Sequence, residues 1–174
     1  ILSHGIFLQP ASLLNLVFQN VILGVVALGQ LLVILTSGID LSVGSVVGLS
    51  TVLLMLYQYL GLGAALALTF GVAILIGLVN GFFVAVRKLP AFVVTLAMML
   101  FVYSLAQVLS GGAGVYTGLN GANLSPFIAD FNKHALAGIP YPALVWLVAL
   151  VGVSLFIRIS YGHFIYAVGG NERA

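Results

Sequence analysis

The sequence TSGIDLSVGS, residues 36–45, separates two long apolar runs and carries a single carboxylate, Asp40. The chain has no formally charged residue over 1–39 and none over 41–86. An apolar stretch of about 18 or more residues without charge is a candidate transmembrane helix. Irregular backbone at membrane depth must be buried in protein or line a wet cavity, because unsatisfied peptide groups are costly there. This stretch therefore predicts two membrane-spanning helices joined by a polar break.

The composition of the whole chain has the same character. Of 174 residues, 63% are hydrophobic and 5% are charged, with a net charge of +2 and no cysteine. Soluble domains carry about 45–50% apolar and about 25% charged residues, so a soluble enzyme, a disordered segment and a nucleic-acid binder are excluded. The absence of cysteine from the sequence excludes disulfides, thiolate catalysis and Cys-ligated metals. The three histidines, His4, His134 and His163, lie too far apart in sequence to indicate a local metal site.

Turn residues and charges divide the apolar sequence into five predicted spans. Each has about 17–25 residues, which at a rise of about 1.5 Å per residue crosses a hydrocarbon core of about 30 Å. The predicted fold class is therefore all-α, a polytopic transmembrane helix bundle. The spans are Leu13–Thr36, Ser42–Leu60, Ala64–Val86, Pro90–Leu109 and Tyr141–Ile157.

Residues 110–140 differ from the spans because they contain glycines, asparagines, prolines and the Asp130/Lys133 pair. Such clusters of turn residues are typical of loops. We expect an extracytoplasmic loop here, with a short interfacial helix around Pro126–Ala137.

The orientation follows from the short loops. Four of the five cations fall on one side: Arg87 and Lys88 between the third and fourth spans, and Arg158 and Arg173 after the fifth. The positive-inside rule assigns this side to the cytoplasm. The 110–140 loop and the amino terminus then face outward, and the polar break faces the cytoplasm.

The polar break permits two interpretations that can both hold. Gly38 allows unusual backbone dihedrals, and Asp40 or Ser42 can cap the next helix by accepting a hydrogen bond from its free N–H groups. Alternatively, Asp40 belongs to a gate or pathway, since acids within membrane segments are functional candidates. The candidate residues for the translocation pathway or gate are Asp40, Ser42, Asn80 and Thr95.

Further polar residues in the spans could line a route for a hydroxyl-rich solute: Asn20, Gln30, Thr51, Asn80, Thr95 and Gln107. Taken singly, each is also explained as a hydrogen-bonding contact between helices, which contributes about 0.6 kcal/mol on average. The spacings Gly44-xxx-Gly48 and Gly77-xxx-Gly81 predict close-packed helix faces.

Residues 34–45, ILTSGIDLSVGS, resemble the signature of permease subunits of bacterial ATP-binding-cassette (ABC) sugar importers. These are the ribose, xylose, arabinose, galactose and autoinducer-2 permeases of the branched-chain permease superfamily. Three further segments agree in order and spacing: Asn80-Gly81, residues 92–99 (FVVTLAMM) and residues 161–172 (YGHFIYAVGGNE). The resemblance covers almost the whole chain.

The resemblance implies a permease of about ten helices, of which residues 1–174 look like the second to the sixth. It also implies that residues 158–174 are a cytoplasmic segment that couples to an ATPase. Aromatic residues with arginine are common anchors of such contacts, although an ordinary interfacial loop with a tyrosine belt explains the composition too. The candidate coupling residues are Tyr161, Gly162, Tyr166, Gly169, Gly170, Asn171 and Glu172.

The expected function is a non-catalytic membrane subunit that forms the pathway for a monosaccharide such as ribose. The sequence has no phosphate loop, since the glycine cluster at residues 111–114 lacks the required lysine, and it has no catalytic set. ATP and Mg²⁺ are therefore expected on a separate ATPase subunit, and no cofactor in this chain.

The expected partners are ABC ATPase subunits, a second permease subunit in a homodimer or heterodimer, an extracytoplasmic sugar-binding protein and membrane lipid, without nucleic acid. The expected location is the bacterial inner membrane. The alternatives are a nucleoside or autoinducer-2 ABC permease, an ion-coupled secondary transporter, which would need buried acids or unwound ion-binding helices, and an intramembrane enzyme or purely structural subunit.

Overall fold

The computed structural model describes residues 9–112, 130–131, 134–136 and 139–170. It divides into two compact units: unit 1 comprises Ile1–Ser37 and Ala129–Ala174, and unit 2 comprises Gly38–Ile128. In chain order the elements are α1 (Pro10–Leu35), α2 (Val43–Tyr57), α3 (Leu62–Gly81), α4 (Ala91–Leu109), β1 (Ala135–Leu136), β2 (Ile139–Pro140), α5 (Tyr141–Arg158) and α6 (Ser160–Gly170). The predicted all-α class is confirmed, with one minimal hairpin added.

Four of the five predicted spans are long and apolar enough to cross a membrane: Val43–Leu60, Leu62–Val86, Ala91–Leu109 and Tyr141–Arg158. Their bounds nearly coincide with those expected from the sequence. The first predicted span is also helical, over the 26 residues Pro10–Leu35, and includes the apolar stretch Gln19–Leu35.

In unit 1, α1 packs against α5, and Gly24 of α1 lies against Trp146 of α5. A Cβ atom on Gly24 would overlap the indole ring of Trp146, so only glycine fits opposite this tryptophan. Both helices have a proline in their first turn, where the missing N–H costs no helical hydrogen bond. Extended backbone at Ile159 ends α5 and separates it from α6.

The hairpin before α5 corrects one expectation. Ala135 pairs with Pro140 and Leu136 pairs with Ile139 in antiparallel strands. The predicted interfacial helix around Pro126–Ala137 is therefore wrong at its carboxyl end, because these residues satisfy their backbone groups across the hairpin. Most of the remaining predicted helix lies outside the residues that the structure describes.

In unit 2, α2 ends in a 3₁₀ turn over Gln58–Leu60, and α3 continues as a π-helical turn over Phe82–Val86. Gly61, between α2 and α3, has a φ of 93°, a conformation that favours glycine. The core is small and consists of Leu49, Leu53, Ile76 and Val102. Large apolar side chains cover much of the exterior, as expected for helices that are hydrophobic on all sides and lie in a bilayer.

The two glycine pairs do not pack as predicted. A Cβ atom at Gly44, Gly48, Gly77 or Gly81 would meet nothing within 4 Å in the described part of the chain, apart from its own helix. The close-packing prediction is therefore wrong within this part. The reason is the rotation of α2, which turns Leu49 and Leu53 toward the core and leaves its glycines on a different face.

Candidate functional site

The polar break is organised around the carboxylate of Asp40. Its Oδ1 accepts a hydrogen bond from the backbone N–H of Ser42 at 2.8 Å and another from the Ser42 hydroxyl at 2.6 Å. Ser42 directly precedes α2, is 1% exposed and caps nothing with its own side chain. Of the two predicted caps, Asp40 therefore satisfies an N–H at the start of α2.

Asn80 extends this arrangement from α3. Its Nδ2 donates to the Ser42 hydroxyl oxygen at 3.1 Å. The Ser42 hydroxyl gives its only proton to Asp40, so toward Asn80 it can only accept, and this fixes which end of the amide faces it. Hydrogen bonds therefore run in one direction, from Asn80 to Ser42 to Asp40.

The same arrangement leaves the other end of the amide unpaired. Asn80 is 7% exposed, and its Oδ1 is buried without a hydrogen-bond partner among the described residues. A buried acceptor without a partner costs about 1–3 kcal/mol. Replacing the asparagine therefore removes one satisfied donor and one unsatisfied acceptor at the same time.

Thr95 binds the break from α4. Its Oγ1 accepts the N–H of Leu41 at 3.2 Å, and its proton lies within reach of the carbonyl oxygens of Ile39 at 3.1 Å and Ala91 at 2.9 Å. Thr95 is 3% exposed. One side chain thus binds two residues of the non-helical backbone that precedes α2.

All four predicted pathway or gate residues therefore meet in unit 2. We call Asp40, Ser42, Asn80 and Thr95 the break cluster. Their polar groups are mainly occupied by one another and by the backbone of residues 39–42, so the cluster holds the break in place. A direct role in a pathway or gate stays a prediction.

The left-handed residue of the polar break is not the one that the sequence predicted. The left-handed conformation occurs at Ser37, with a φ of 57°, one residue before Gly38, where the sequence predicted unusual dihedrals. Ser37 follows the end of α1, a position where the left-handed conformation is common.

A cavity of about 560 Å³ lies between α2 and α4 within unit 2. On its α4 wall, the Nε2 of Gln107 donates to the hydroxyl of Tyr103, its neighbour one turn earlier on the same helix, at 2.8 Å. The sequence indicated Gln107 as a polar span residue, but Tyr103 and Ser45 were missed. The four-residue spacing of Tyr103 and Gln107 on one helix face was the available signal. The lining residues are Gly44, Ser45, Gly48, Val52, Met99, Leu100, Tyr103, Ala106, Gln107 and Ser110.

The predicted coupling residues fall into two groups in unit 1. Gly162 and Gly169 are tightly packed, since a Cβ atom would overlap the carbonyl group of Ile157 in the first case and of Leu35 in the second. The Ser37 hydroxyl also donates to the carbonyl oxygen of Gly169 at 2.9 Å.

The other group is exposed or not described. Tyr166 is 49% exposed, and a Cβ atom at Gly170 would meet no described atom within 4 Å. The side chain of Tyr161, and Asn171 and Glu172 entirely, lie outside what the structure describes. Tyr166 and Gly170 are therefore the described candidates with surface to offer a partner, and their coupling role stays a prediction.

Comparison with known proteins extends over nearly the whole chain. Residues 12–174 match the family described as the permease component of the branched-chain amino acid transport system. The chain is 37% identical to the ribose import permease protein RbsC of Bacillus subtilis, over 97% of this chain and 52% of that protein. It is 34% identical to the galactofuranose transporter permease protein YtfT of Escherichia coli, over 100% of this chain and 50% of that protein.

A third relative is the xylose transport system permease protein XylH of Haemophilus influenzae, which is 28% identical over 97% of this chain and 61% of that protein. The chain spans about half the length of the ribose and galactofuranose relatives. No solved structure matches it.

The family expected from the sequence motifs is confirmed, as is the location of a multi-pass protein in the bacterial inner membrane. The family match, the membrane-capable helices and the similarity to sugar permeases agree along the same residues. The chain belongs to the family of branched-chain-type permease components of membrane transport systems.

Proposed function

We propose that the chain is part of the membrane-spanning permease subunit of an ABC importer for a monosaccharide such as ribose or a related sugar. The observation that carries the proposal is the 37% identity to a ribose import permease over 97% of the chain. The names of further relatives, which state xylose and galactofuranose, support the same class of solute.

The geometry suits a subunit that moves a solute and changes it in no way. The break cluster stabilises an irregular segment between two membrane helices, which lipid alone could not do because each unsatisfied peptide group is costly there. Asp40 already accepts two hydrogen bonds from Ser42. This argues against a carboxylate that is free to coordinate an ion, which an ion-coupled transporter needs.

The subunit needs partners for energy and specificity. We propose that ATP and Mg²⁺ bind to a separate ATPase, that a second permease subunit completes the pathway, and that an extracytoplasmic binding protein delivers the sugar. The exposed side of α6, with Tyr166 and Gly170, is the proposed contact with the ATPase. The chain itself is then non-catalytic.

The test uses the full-length protein, reconstituted in vesicles with its ATPase and binding protein. We expect labelled ribose or a related sugar to accumulate against a gradient only when ATP is supplied on the ATPase side. An ATPase that binds but cannot hydrolyse ATP is the control and should abolish accumulation. Uptake driven by a proton or sodium gradient without the ATPase would overturn the proposal.

The orientation is tested separately. The 174 residues contain no cysteine, so an introduced cysteine is the only thiol in this part of the protein. Cysteines at Arg87 and Asn123 should react with impermeant reagents from opposite sides, Arg87 from the cytoplasm. Reaction from the same side would contradict the topology.

A further inference from the structure

We propose that the transported solute passes along the cavity between α2 and α4, and that Tyr103 and Gln107 contact it there. We call this cavity the α2/α4 groove. The inference rests on the proposed function and deepens it by naming the residues that meet the solute. It also moves this role away from the break cluster, whose polar groups are mainly engaged with one another.

The groove has suitable space. Its volume of about 560 Å³ lies within the range of about 300–1,000 Å³ that is usual for small-molecule sites. Gly44 and Gly48 open the α2 side, because a Cβ atom at either position would meet no described atom within 4 Å beyond its own helix. Within the described part of the chain, these two glycines pack against no other helix and leave space along α2.

Two polar side chains lie on the α4 side of the groove, among lining residues that are otherwise mainly apolar. Tyr103 is 55% exposed, and Gln107 is exposed as well, although both lie on a helix apolar enough to cross the membrane. Ionisable side chains within membrane segments almost always face protein or a water-filled cavity, and we expect the same of the uncharged but strongly polar amide of Gln107. Ser45 faces the same groove from α2.

The hydrogen-bonding capacity that remains fits a sugar. Gln107 donates to the Tyr103 hydroxyl, so the hydroxyl proton of Tyr103 and the Oε1 of Gln107 remain to donate and accept, respectively. Among the described residues, neither side chain has another hydrogen bond to a side chain. A sugar hydroxyl both donates and accepts, and the aromatic ring of Tyr103 offers an apolar surface for the C–H face of a sugar ring.

The charge of the lining distinguishes between solutes. None of the ten lining residues carries a formal charge. A zwitterionic amino acid would bring two charges into a membrane segment without a charged partner, which is far more costly than bringing in neutral hydroxyls. The groove therefore favours an uncharged, hydroxyl-rich solute.

The break cluster lies at one end of the groove. Leu41 binds Thr95 near the start of α2 and α4, and Val52 and Gln107 line the groove further along both helices, so the two helices run in the same direction. The lining starts at Gly44, two residues after Ser42, and extends to Ser110 beyond the end of α4. The buried break cluster thus lies beside the starting end of the groove, which is cytoplasmic in the predicted orientation.

The first test fills the groove in the reconstituted transporter. Gly48→Leu should lower uptake at least roughly tenfold, because its side chain occupies space that the solute needs. Gly71→Leu is the matched control: it lies on α3, its surroundings are open and it does not line the groove, so uptake should stay near wild type. Equal uptake by wild type and Gly48→Leu would overturn the groove proposal alone, whereas a wild type without ATP-dependent sugar uptake would overturn the proposed function.

The second test does not depend on uptake and serves also if Gly48→Leu fails to fold. In a protein whose other cysteines are replaced, the cysteine of Gln107→Cys should react with a charged methanethiosulfonate, and a saturating concentration of the imported sugar should slow the reaction. Ser104→Cys, next to Tyr103 but outside the lining, is the control and should be insensitive to the sugar. If Gln107→Cys reacts only with a lipid-soluble maleimide, position 107 faces lipid. If it reacts with neither reagent, position 107 is covered by another helix. Either result, or labelling that the sugar leaves unchanged, would overturn the proposal.

Discussion

The chain around the polar break is anchored differently on its two sides. In unit 1, the end of α1 is held by close backbone approach: Gly169 leaves no room for a Cβ atom beside Leu35, and one exposed hydroxyl, that of Ser37, bonds to the Gly169 carbonyl oxygen. In unit 2, the residues before α2 are held by buried side chains, through the hydrogen bonds of Asn80, Ser42 and Asp40 and through Thr95.

This difference shows what each anchor tolerates. An anchor made by close backbone approach is sensitive to added volume and indifferent to most polar changes. An anchor made by buried hydrogen bonds is sensitive to the loss of one polar atom, because its partner is then left unsatisfied.

The largest effect should come from volume added at the end of α6. Gly169→Val places a branched side chain where the Leu35 carbonyl already lies, and we expect a loss of about 1–3 kcal/mol of stability, or more if the backbone cannot move. Gly170→Val is the matched control, since its surroundings are open among the described residues. The melting temperatures of the detergent-solubilised, full-length variants provide the measurement.

Gly169→Val and Gly170→Val also distinguish a role in helix packing from a role in contact with the ATPase. Gly170→Val should keep a normal melting temperature and normal membrane levels but show weaker association with the ATPase, if this end of α6 contacts the partner. An equal loss of stability in both variants would contradict the contrast between the two glycines.

In unit 2, the strongest effect should come from the centre of the break cluster. Ser42→Ala removes the hydroxyl that accepts from Asn80 and donates to Asp40, which leaves the buried amide without its acceptor. We expect a loss of about 1–3 kcal/mol. Ser104→Ala, an exposed serine of α4, is the control. If Ser42→Ala and the control have the same melting temperature, the hydrogen bonds from Asn80 through Ser42 do not contribute to stability.

A smaller effect is expected at Thr95, where a close matched control exists. Thr95→Val keeps the shape of the side chain but removes the acceptor of the Leu41 N–H, with an expected cost of about 1 kcal/mol. Thr69 is also buried, at 9% exposed, but among the described residues its hydroxyl bonds to Ala65 of its own helix alone, so Thr69→Val should cost less. Hydrogen exchange at Leu41 should rise in Thr95→Val and stay unchanged in Thr69→Val; the reverse would contradict the anchor.

The smallest effect should come from the exposed hydroxyl of unit 1. Ser37→Ala removes its bond to the Gly169 carbonyl, and we expect no more than about 0.5–1 kcal/mol, because water can replace a partner that is exposed. A loss as large as that of Gly169→Val would show that this hydroxyl, and not close packing, holds the end of α6.

Sequence reasoning predicted the elements and part of the site. The spans from Ser42 to Leu109 and the last span were placed almost correctly, because long charge-free runs in a bilayer leave the backbone little choice but a helix. The polar break and a cap from Asp40 were also expected. The four residues of the break cluster were indicated as pathway or gate candidates, which stays a prediction, and the contacts among them were not expected. Gln107 was indicated only as one polar span residue among several.

The amino-acid pattern was enough to place this protein in a membrane, to locate its helices and the break between them, and to indicate its family. The folded chain was needed to show that Asn80 gives one amide atom to Ser42 and that Gly169 is tightly packed. It was also needed to show that, among the described residues, the other amide atom has no partner and Gly44, Gly48 and Gly170 have open surroundings. The physical reason is that these helices are apolar on all sides, so the sequence pattern carries little information about their rotation. Rotation and axial offset are set by contacts between residues far apart in sequence, such as Leu49 with Val102 and Leu41 with Thr95, and these exist only once the helices have packed.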